Sequence, residues 1–282
     1  NLEGLRGEAA FEFVEGDLVG TDLAGLLRGV DWVFHQAAQA GVRASWGRRF
    51  RTYTDNNVLG TQRLLEAVRE AAAGGGKVRR VVCASSSSIY GDAEEARTPE
   101  DTLPRPISPD GVTKLAAEQL GYLYWKQFGV PVVSLRYFTV YGPRQRPDMA
   151  FHRFIEALLD DAPIEVYGDG AQTRDFTFVS DAAAANLAAA EAGSDGTVYN
   201  IGGGERASIN RVVQILEEVS GRKARRRALE RQAGDVRHTW ADVSRARREL
   251  GFSPRVGLIE GIRRQYEWQL RRRSNGHQQR AT

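Results

Sequence analysis

The sequence VRRVVCASSSSIYG, at residues 78–91, opens with a valine-rich run and continues into four consecutive serines. It predicts a buried strand over residues 78–84, followed by a serine-rich turn. A helical pattern then covers residues 111–128, and the apolar run VPVVSLRY follows at residues 130–137. Continuous β-branched runs separated by a helix are typical of parallel strands that are covered on both faces. This unit therefore predicts a doubly wound parallel sheet.

The alternation of strands and helices extends to both sides of this unit. Before it, strands are predicted at residues 11–14 and 31–34, and helices at residues 22–27 and 54–73. Past Pro143 the predicted elements are helices at 151–159, 181–192, 208–220, 243–250 and 258–271, with strands at 164–167, 175–179 and 198–201. The predicted fold class is α/β, a Rossmann-like doubly wound parallel sheet with a smaller α+β C-terminal domain.

The composition is that of a globular protein with a sizeable core. The chain has 282 residues, of which 41% are hydrophobic and 9% aromatic. Its one cysteine, Cys83, excludes a disulfide framework and a cysteine-based zinc site, and it indicates a reducing compartment. No apolar run approaches the ~18 residues that a membrane span needs. We therefore expect a cytoplasmic protein that does not bind a membrane.

Positive charge is carried almost wholly by arginine, since lysine occurs only at residues 77, 114, 126 and 223. The net charge is +3, and the densest basic runs lie at residues 222–227 and 271–273. Neither run has the interleaved aromatic residues of a nucleic-acid groove, so both predict solvent-exposed surface and no nucleic-acid partner. A mild positive charge favours small anionic ligands.

Small, hydroxyl and arginine side chains follow the ends of the predicted strands. Doubly wound sheets bind ligands at the carboxyl ends of their strands, so these segments predict the site. They read GDL at 16–18, HQAAQAGVR at 35–43, SSSSIYG at 85–91 and RYFTVYGPRQRPDMA at 136–150. His35 and Asn57 are predicted to be buried and hydrogen-bonded. The other histidines lack the spacing of metal ligands, so no metal site is expected.

Nine segments resemble, in order, those of extended short-chain dehydrogenases/reductases of the NAD-dependent epimerase/dehydratase family, and most closely its UDP-glucuronate 4-epimerases. Besides the four above they are NNVLGT at 56–61, SPDGVTKLAAE at 108–118, YGDGAQTRDFTFVSD at 167–181, YNIGGG at 199–204 and GDVRHTWAD at 234–242. The resemblance implies an NAD-dependent 4-epimerase that converts UDP-glucuronate to UDP-galacturonate through a 4-keto intermediate. It also implies a homodimer, built on the helices at 54–73 and 111–128.

Other interpretations remain open. A UDP-glucose 4-epimerase or a UDP-glucuronate decarboxylase would share most of these segments. A nucleotide-sugar-binding protein with impaired catalysis is the alternative from a different class, because the chain departs from the family twice. It opens on Asn1 without the strand, GxxGxxG turn and acidic residue that place the cofactor pyrophosphate on a helix N-terminus in family members. We expect the chain to begin several tens of residues into the family's pattern and to bind NAD poorly.

The second departure lies in the catalytic unit, a hydroxyl residue with a Tyr-x-x-x-Lys motif whose tyrosine takes a proton from the sugar. Ser86 matches the hydroxyl and Lys114 the lysine, but Asp110 occupies the tyrosine position. Aspartate is shorter and, with an ordinary pKa of about 3.9, a weaker base that should ionise even more readily beside Lys114. Asp110 is therefore expected to impair the chemistry or to redirect the proton. Its place before a helix also suits an N-cap.

The resemblance also assigns residues to the cofactor. Asp17 and Leu18 would lie at the adenine, Ala37 and Ala38 would let the backbone approach the cofactor, and Lys114 would bond the nicotinamide ribose. Simpler roles remain open, because Asp17 could cap its own turn and the alanines could serve close packing. The NAD-binding domain is expected to comprise residues 1–146 with 173–201, N-terminally incomplete, the nucleotide-sugar-binding domain 147–172 with 202–275, and a tail 276–282.

Serine and arginine side chains are implied on the sugar side of the site. Ser87 and Ser88 stand where dehydratases carry an acid pair, which disfavours elimination of water and, less strongly, decarboxylation. The run RQRPDM at residues 144–149 resembles the UDP-glucuronate branch of the family. There Arg146 would meet the sugar carboxylate, with Thr139 and Ser88 completing the cradle.

Two further arginines match family positions that grip the diphosphate. Arg174 lies in the segment QTRDF and Arg237 in GDVRH. A planar guanidinium suits phosphate oxygens, because its fork of N–H donors can bond two of them at once. Asp235 is expected to bind a ribose or to orient Arg237.

Overall fold

A four-stranded parallel sheet forms the centre of the larger half of the molecule. Its strands are β1 (Trp32–His35), β2 (Arg80–Ser86), β3 (Val132–Tyr137) and β7 (Val198–Ile201), hydrogen-bonded in the order β1-β2-β3-β7. The structure is a computed structural model and describes residues 2–92 and 97–278. Each pair of neighbouring strands is parallel, as the continuous apolar runs predict.

Helices cover both faces of this sheet. On one face α3 (Gly60–Ala73) and α4 (Pro109–Phe128) pack against β2 and β3, with Leu65 and Val81 fully buried between them. On the other face α6 (Val179–Ala192) and α8 (Ser244–Leu250) bury small and apolar side chains, among them Ala185 and Leu135. The doubly wound parallel sheet predicted from the sequence is confirmed.

The smaller half has its own core and mixed strand pairing. β4 (Thr139–Tyr141) pairs in parallel with β6 (Thr173–Phe178), β6 pairs antiparallel with β8 (Arg206–Ser208), and β5 (Ile164–Tyr167) pairs in parallel with β9 (Arg226–Leu229). The helices α5 (Ala150–Leu159), α7 (Ile209–Ser220) and α9 (Leu258–Gln278) pack on these strands through the buried side chains Phe151, Ile155, Val212, Leu216 and Ile262.

Most predicted elements are present, and most of their ends agree with the prediction to within two residues. The helix predicted at 22–27 is α1 (Leu23–Leu26), whose first turn Asp22 caps by accepting from the Gly25 N–H at 3.1 Å. The helix predicted at 258–271 continues to Gln278, so the tail expected at 276–282 begins inside it, and residues 279–282 lie outside the described ranges.

One prediction from local pattern is wrong. Residues 11–14 are not a strand: among the described residues no strand lies beside them, and Phe13 and Val14 are exposed. A strand needs a ladder partner as well as an apolar pattern. The arginines of the basic run at 222–227 are exposed, as predicted; the end of this run also forms the start of β9, which was not predicted, and there Arg227 pairs with Glu165 of β5.

A π-helical segment, Thr54–Leu59, joins α2 (Phe50–Tyr53) to α3 where one uninterrupted helix was predicted. Asn57 lies in this segment with 2% of its surface exposed. Its Oδ1 accepts from the Gln39 N–H at 2.7 Å, and its Nδ2 donates to the Gln39 carbonyl at 3.0 Å and to Thr113 Oγ1 at 2.9 Å. The predicted buried amide is confirmed, and it ties the loop after β1 to α4.

A buried ion pair fastens α4 to the carboxyl end of the sheet. Arg136 of β3 bonds Glu118 through Nη2–Oε1 at 2.6 Å and Nε–Oε2 at 2.9 Å, and both side chains are at most 5% exposed. Ser85 of β2 donates to the same carboxylate at 2.7 Å. Arg136 also donates to the Tyr90 hydroxyl and to the Glu100 carbonyl. The pair therefore joins two strands, a helix and a loop.

We predict that Arg136→Met lowers the free energy of unfolding by about 3–5 kcal/mol, because it leaves the Glu118 carboxylate buried without its partner. Urea unfolding followed by circular dichroism measures the change. The control is Arg211→Met, whose ion pair with Glu218 is exposed and should contribute less than about 1 kcal/mol. Equal losses for the two variants would contradict this assignment.

None of the helices within the described ranges is both long enough and apolar enough to cross a membrane.

Candidate active site

A cavity of about 830 Å³ opens at the carboxyl ends of β2 and β3, facing the smaller half of the molecule. Its walls come from the turn after β2, the start of α4, the segment after β3 and the loop that precedes α8. Nine of the site residues predicted from the sequence line it: Ser86, Ser87, Ser88, Asp110, Lys114, Thr139, Arg146, Arg174 and Asp235. The fold thus brings together residues that are up to 149 positions apart.

In the serine-rich turn after β2, the Ser86 hydroxyl has defined hydrogen-bond partners. Ser86 Oγ accepts from the Ser88 N–H at 3.1 Å and from Ser88 Oγ at 2.9 Å. Ser86 Oγ is the acceptor in both bonds, so its own hydroxyl hydrogen is still available to donate. Ser85 is used differently, since it donates to Glu118 in the core. Ser86 is therefore the serine suited to bond a ligand oxygen in the cavity.

Close backbone packing fixes the distance between this turn and α4. A Cβ at Gly111 would lie 2.6 Å from the carbonyl oxygen of Ser88, closer than real Cβ contacts come. One turn farther along α4, Lys114 is half-buried and its Nζ donates to the Ala84 carbonyl at 3.0 Å. Burial lowers the pKa of Lys114, although the neighbouring Asp110 and Cys83 act in the opposite direction. The ammonium is thus held at the end of β2.

Asp110 is not the N-cap that the sequence suggested. Ser108 takes that place, accepting from the Gly111 N–H at 3.1 Å, and Pro109 begins the helix. Asp110 lies in the first turn with 5% of its surface exposed, and its Oδ1 has no hydrogen-bond partner among the described residues. Burial raises the pKa of Asp110 and outweighs the lowering by Lys114, so the expectation of readier ionisation is wrong.

A buried glutamine of α9 and a half-buried glutamine of the loop itself hold the loop that carries Arg146. Gln265 of α9 is fully buried; its Oε1 accepts from the Gly142 N–H at 2.8 Å and its Nε2 donates to Gln145 Oε1 at 3.0 Å. Gln145 Oε1 also accepts from the His152 N–H at 3.0 Å. Hydrogen bonds from α9 and from α5 therefore hold the loop between β4 and α5.

Arg146 itself is half exposed. Its Nε and Nη2 donate to the two carboxylate oxygens of Asp148, each at 3.0 Å. An exposed pair of this kind contributes little to stability, so it can be exchanged for a ligand carboxylate at small cost. Thr139, the first residue of β4, lines the same cavity.

The arginines expected at the diphosphate differ in position. Arg174 is half-buried on the cavity wall and donates to the carbonyls of Thr173, Val236 and Arg237 at 2.6–3.1 Å. It forms three hydrogen bonds out of the five that a guanidinium can donate. The Arg237 side chain is not among the residues lining the cavity; it is exposed and pairs with Asp169 at 3.1 Å.

Asp235 pairs with Arg43, at 2.8 Å, rather than orienting Arg237. The guanidinium of Arg43 also stacks over the Tyr167 ring, 3.8 Å from its centroid. Arg43 was present in the segment HQAAQAGVR but was not singled out. Arg43 could have been identified by its position shortly after the end of β1, together with the acidic residue Asp235 in another segment expected at the site.

Among the lining residues that were not singled out from the sequence are Gly41, Tyr137 and Trp268. Gly41 and Tyr137 lie in segments that were identified as strand ends, so position alone could have suggested them. The Tyr137 hydroxyl donates to Asn186 Oδ1 at 2.9 Å, and burial raises its pKa to about 12. Trp268 comes from α9, which carries no motif, and only the fold brings it to the cavity.

The four residues expected only at the cofactor lie apart from this cavity. Ala37 and Ala38 follow β1 and line a small adjoining hollow together with Lys114. Asp17 Oδ1 accepts from the Val19 N–H at 2.8 Å, which is the turn-capping role left open above. Leu18 lies against α3, with its Cδ1 3.6 Å from where a Cβ on Gly60 would stand.

The residues beside Lys114 fit one end of NAD. Ala37 and Ala38 project only methyl groups at the carboxyl end of β1, which leaves space for a cofactor to approach the backbone. Lys114 holds its ammonium group at the same edge of the sheet. His35, just before them, is bonded to Thr61 Oγ1 at 2.9 Å, and burial followed by the charge of Lys114 lowers its pKa to about 4. The predicted core role of His35 is confirmed.

Residues 2–202 match the model of the NAD dependent epimerase/dehydratase family. The chain belongs to this family. It is 46% identical over 263 residues to an uncharacterized UDP-glucose epimerase, YtcB, of Bacillus subtilis, covering 93% of this chain and 81% of that protein. It is 40% identical over 238 residues to a UDP-glucuronate 4-epimerase of Thermodesulfobacterium geofontis, covering 84% and 71% respectively.

A solved structure shows the same fold with ligands. The UDP-glucuronic acid 4-epimerase of Bacillus cereus, in complex with UDP-glucuronic acid and NAD, superposes with a TM-score of 0.92 at 44% identity, covering 96% of this chain and 85% of that one. The family resemblance, the Rossmann-like fold and the NAD dependence of the family that the sequence implied are confirmed. This chain is an NAD-dependent epimerase-family member.

We predict that Gln265→Leu loosens the loop at residues 142–149, because it removes the hydrogen bonds of Gln265 to Gly142 and Gln145. Hydrogen exchange read by mass spectrometry should show faster exchange in this loop, and unfolding should cost about 1–3 kcal/mol less. Gln214→Leu, an exposed position on α7, is the control and should change neither. Unaltered loop exchange in Gln265→Leu would contradict the prediction.

Proposed function

We propose that this protein is an NAD-dependent 4-epimerase that interconverts UDP-glucuronate and UDP-galacturonate. The observation that carries the proposal is the position of Arg146, which lines the same cavity as Ser86 and Lys114. Its guanidinium forms an exposed pair with Asp148 and also donates to Met149 Sδ at 3.5 Å, so a sugar carboxylate can replace the Asp148 partner. The relatives that bear the name of UDP-glucuronate 4-epimerase, and the Bacillus cereus complex, support the choice of substrate.

The groups around the cavity fit the steps of such a reaction. NAD, when bound, supplies the acceptor and donor for the hydride at C4. Ser86 would hold the 4-oxygen through its remaining hydrogen, while Lys114 would bond the nicotinamide ribose beside Ala37 and Ala38. At the adenine end the proposal assigns Asp17 and Leu18.

The serine turn argues against elimination of water. Ser87 and Ser88 line the cavity where an acid pair would be needed, and hydroxyls cannot act as acids or bases near neutral pH. A 4-keto glucuronate is a β-keto acid that loses carbon dioxide easily. Holding its carboxylate with Arg146, Thr139 and Ser88 would oppose that loss, so epimerisation is favoured over decarboxylation.

The diphosphate and its riboses would lie toward the smaller half of the molecule. Arg174 supports this placement, since it lines the cavity and has N–H donors left. We propose that Asp235 binds a ribose and that Arg237, now paired with exposed Asp169, turns to the diphosphate when it arrives. The domain division at residues 146–147, with segments 173–201 and 202–275, remains part of this proposal.

Two alternatives each have one supporting observation. The name of YtcB favours UDP-glucose as substrate, and a product assay with each sugar separates the two. Asp110 at the base position favours a nucleotide-sugar-binding protein with impaired catalysis. Binding of UDP-glucuronate without turnover would identify that case.

We also propose a homodimer and a cytoplasmic location. Apolar side chains are exposed along α4 at Val112, Tyr122 and Leu123, and beside α3 at Phe50 and Leu59. Such a surface suits a second copy, as the resemblance implies. Cys83 is buried and unpaired, which fits a reducing compartment.

We predict that Arg146→Ala weakens UDP-glucuronate binding about 10- to 100-fold, the loss of a charge-assisted pair of hydrogen bonds. UDP-glucose, which lacks the carboxylate, should lose less than about threefold. Isothermal titration calorimetry with both sugars measures the difference, and Arg48→Ala, on an exposed turn, is the control. Equal losses for the two sugars would remove Arg146 from this role.

We predict that Asp110→Tyr raises epimerase turnover at least tenfold, because a positioned general base typically contributes ~10²–10⁴ in rate. The assay follows formation of UDP-galacturonate at saturating substrate and NAD. Asp110→Phe supplies the ring without the hydroxyl and should show no gain. Unchanged turnover in Asp110→Tyr would argue that Asp110 does not limit the chemistry.

A further inference from the structure

Asp110 is a buried carboxyl with fewer close hydrogen-bond partners than such a group normally has. Its side chain lines the cavity while the residue is only 5% exposed. Within residues 2–92 and 97–278, its Oδ1 accepts no hydrogen bond and no ion pair includes it. Buried carboxyl oxygens are almost always bonded, to protein or to an ordered water. Since Oδ1 is closed to solvent, a water or a substrate can reach this carboxyl only at the side that lines the cavity.

The size of the gap identifies that partner. Aspartate is several ångströms shorter than the tyrosine that the family motif places here, so its oxygens stop short of the position of a tyrosine hydroxyl. One water molecule, with hydrogen bonds of about 2.7–2.8 Å on each side, spans a distance of that order. The polar wall of the cavity, with Ser86 and Ser88 close by, gives a water the two to four partners that it needs.

We propose that Asp110 is the proton acceptor of this enzyme and acts through one water molecule held between its carboxylate and the 4-hydroxyl of the sugar. The inference rests on the epimerase function proposed above. A general base can accept a proton through a single intervening water molecule. Ser86 then holds the 4-oxygen from the other side.

The transfer balances in both directions. As C4 is oxidised, the O–H bond of the 4-hydroxyl breaks and its proton passes to the water, which gives one of its own protons to Asp110. The carboxylate becomes a neutral carboxylic acid, and the hydrogen on C4 would leave with the electron pair of the C4–H bond, as a hydride, to the oxidised nicotinamide of the proposed cofactor. When C4 is reduced on its other face, the acid returns a proton through the water to the 4-oxygen.

The charged groups around Asp110 suit it to this task. Burial raises the pKa of Asp110, which makes its carboxylate a stronger base than an exposed one, whereas Lys114 and Arg146 moderate the rise. The Gly41 N–H and the Ser88 hydroxyl act in the same direction as these cations. Tyr53 also faces Asp110, and burial, with that carboxylate, raises the pKa of its phenol, so it stays neutral.

The raised pKa of Asp110 determines how turnover should change with pH. The base must be ionised before it can accept a proton, so turnover is lost as pH falls through the pKa of Asp110. Because that pKa is raised, the loss should begin at a higher pH than for an exposed aspartate. In Asp110→Asn the residual turnover should not show this acid limb.

The test compares Asp110→Asn with the unaltered enzyme and with Asp101→Asn, an exposed aspartate outside the cavity. We expect Asp110→Asn to lose at least 100-fold in turnover while its Kd for UDP-glucuronate, measured by calorimetry, changes less than threefold. Asp110→Gly should regain turnover when formate is added, since formate supplies the missing carboxylate. A crystal structure with UDP-glucuronate should show one water within hydrogen-bond distance of an Asp110 carboxylate oxygen and the sugar 4-oxygen.

Each contrary result has a separate meaning. Turnover in Asp110→Asn within threefold of the unaltered enzyme, or a complex in which no water joins Asp110 to the 4-oxygen, overturns the inference and leaves the epimerase function standing. An unaltered enzyme that binds UDP-glucuronate but forms no UDP-galacturonate overturns both. Misfolding of a variant is recognised by its loss of UDP-glucuronate binding, and the crystallographic water then decides the question.

Discussion

The buried pair of Arg136 and Glu118 fixes the edge of the sheet from which the site is built. Two charges removed from water are stable together only when their geometry is good and their remaining donors and acceptors are used. Here the guanidinium also bonds Tyr90 and the Glu100 carbonyl, and the carboxylate accepts from Ser85. The next residue of β2 after Ser85 is Ser86, and the next turn of α4 before Glu118 holds Lys114. The pair therefore sets where both site residues stand.

Elements with a strong pattern could be predicted from the sequence, and so could the residues at their ends. Val81, Val82 and their neighbours identified β2, and the ordered motifs led from it to Ser86, Lys114 and Arg174. What failed depended on three-dimensional context. The residues at 11–14 have an apolar pattern but no partner strand in the part of the chain that the structure describes, and β9 lies in a run of arginines whose ion pairs are formed only in the fold.

At the site, too, the errors came from three-dimensional context. The identity of Asp110 was plain in the sequence, but its protonation was misjudged, since Lys114 was counted and burial was not. Ser108 takes the cap position because the helix begins two residues earlier than an Asp110 cap would require. Arg237 matched its motif and yet faces Asp169 at the surface. Trp268, with no motif at all, reaches the cavity through the packing of α9.

The π-helical segment at Thr54–Leu59 changes the direction in which the side chains before and after it point from one continuous helix. Inserting a single residue into an α-helix turns everything beyond it by about 100°. Asn57 can therefore point toward the loop after β1 while Leu65 and Val68, farther along, point into the sheet. The length of this segment matters more than its side chains. Deleting one residue would rotate α3 away from its core, whereas most substitutions would leave its phase intact.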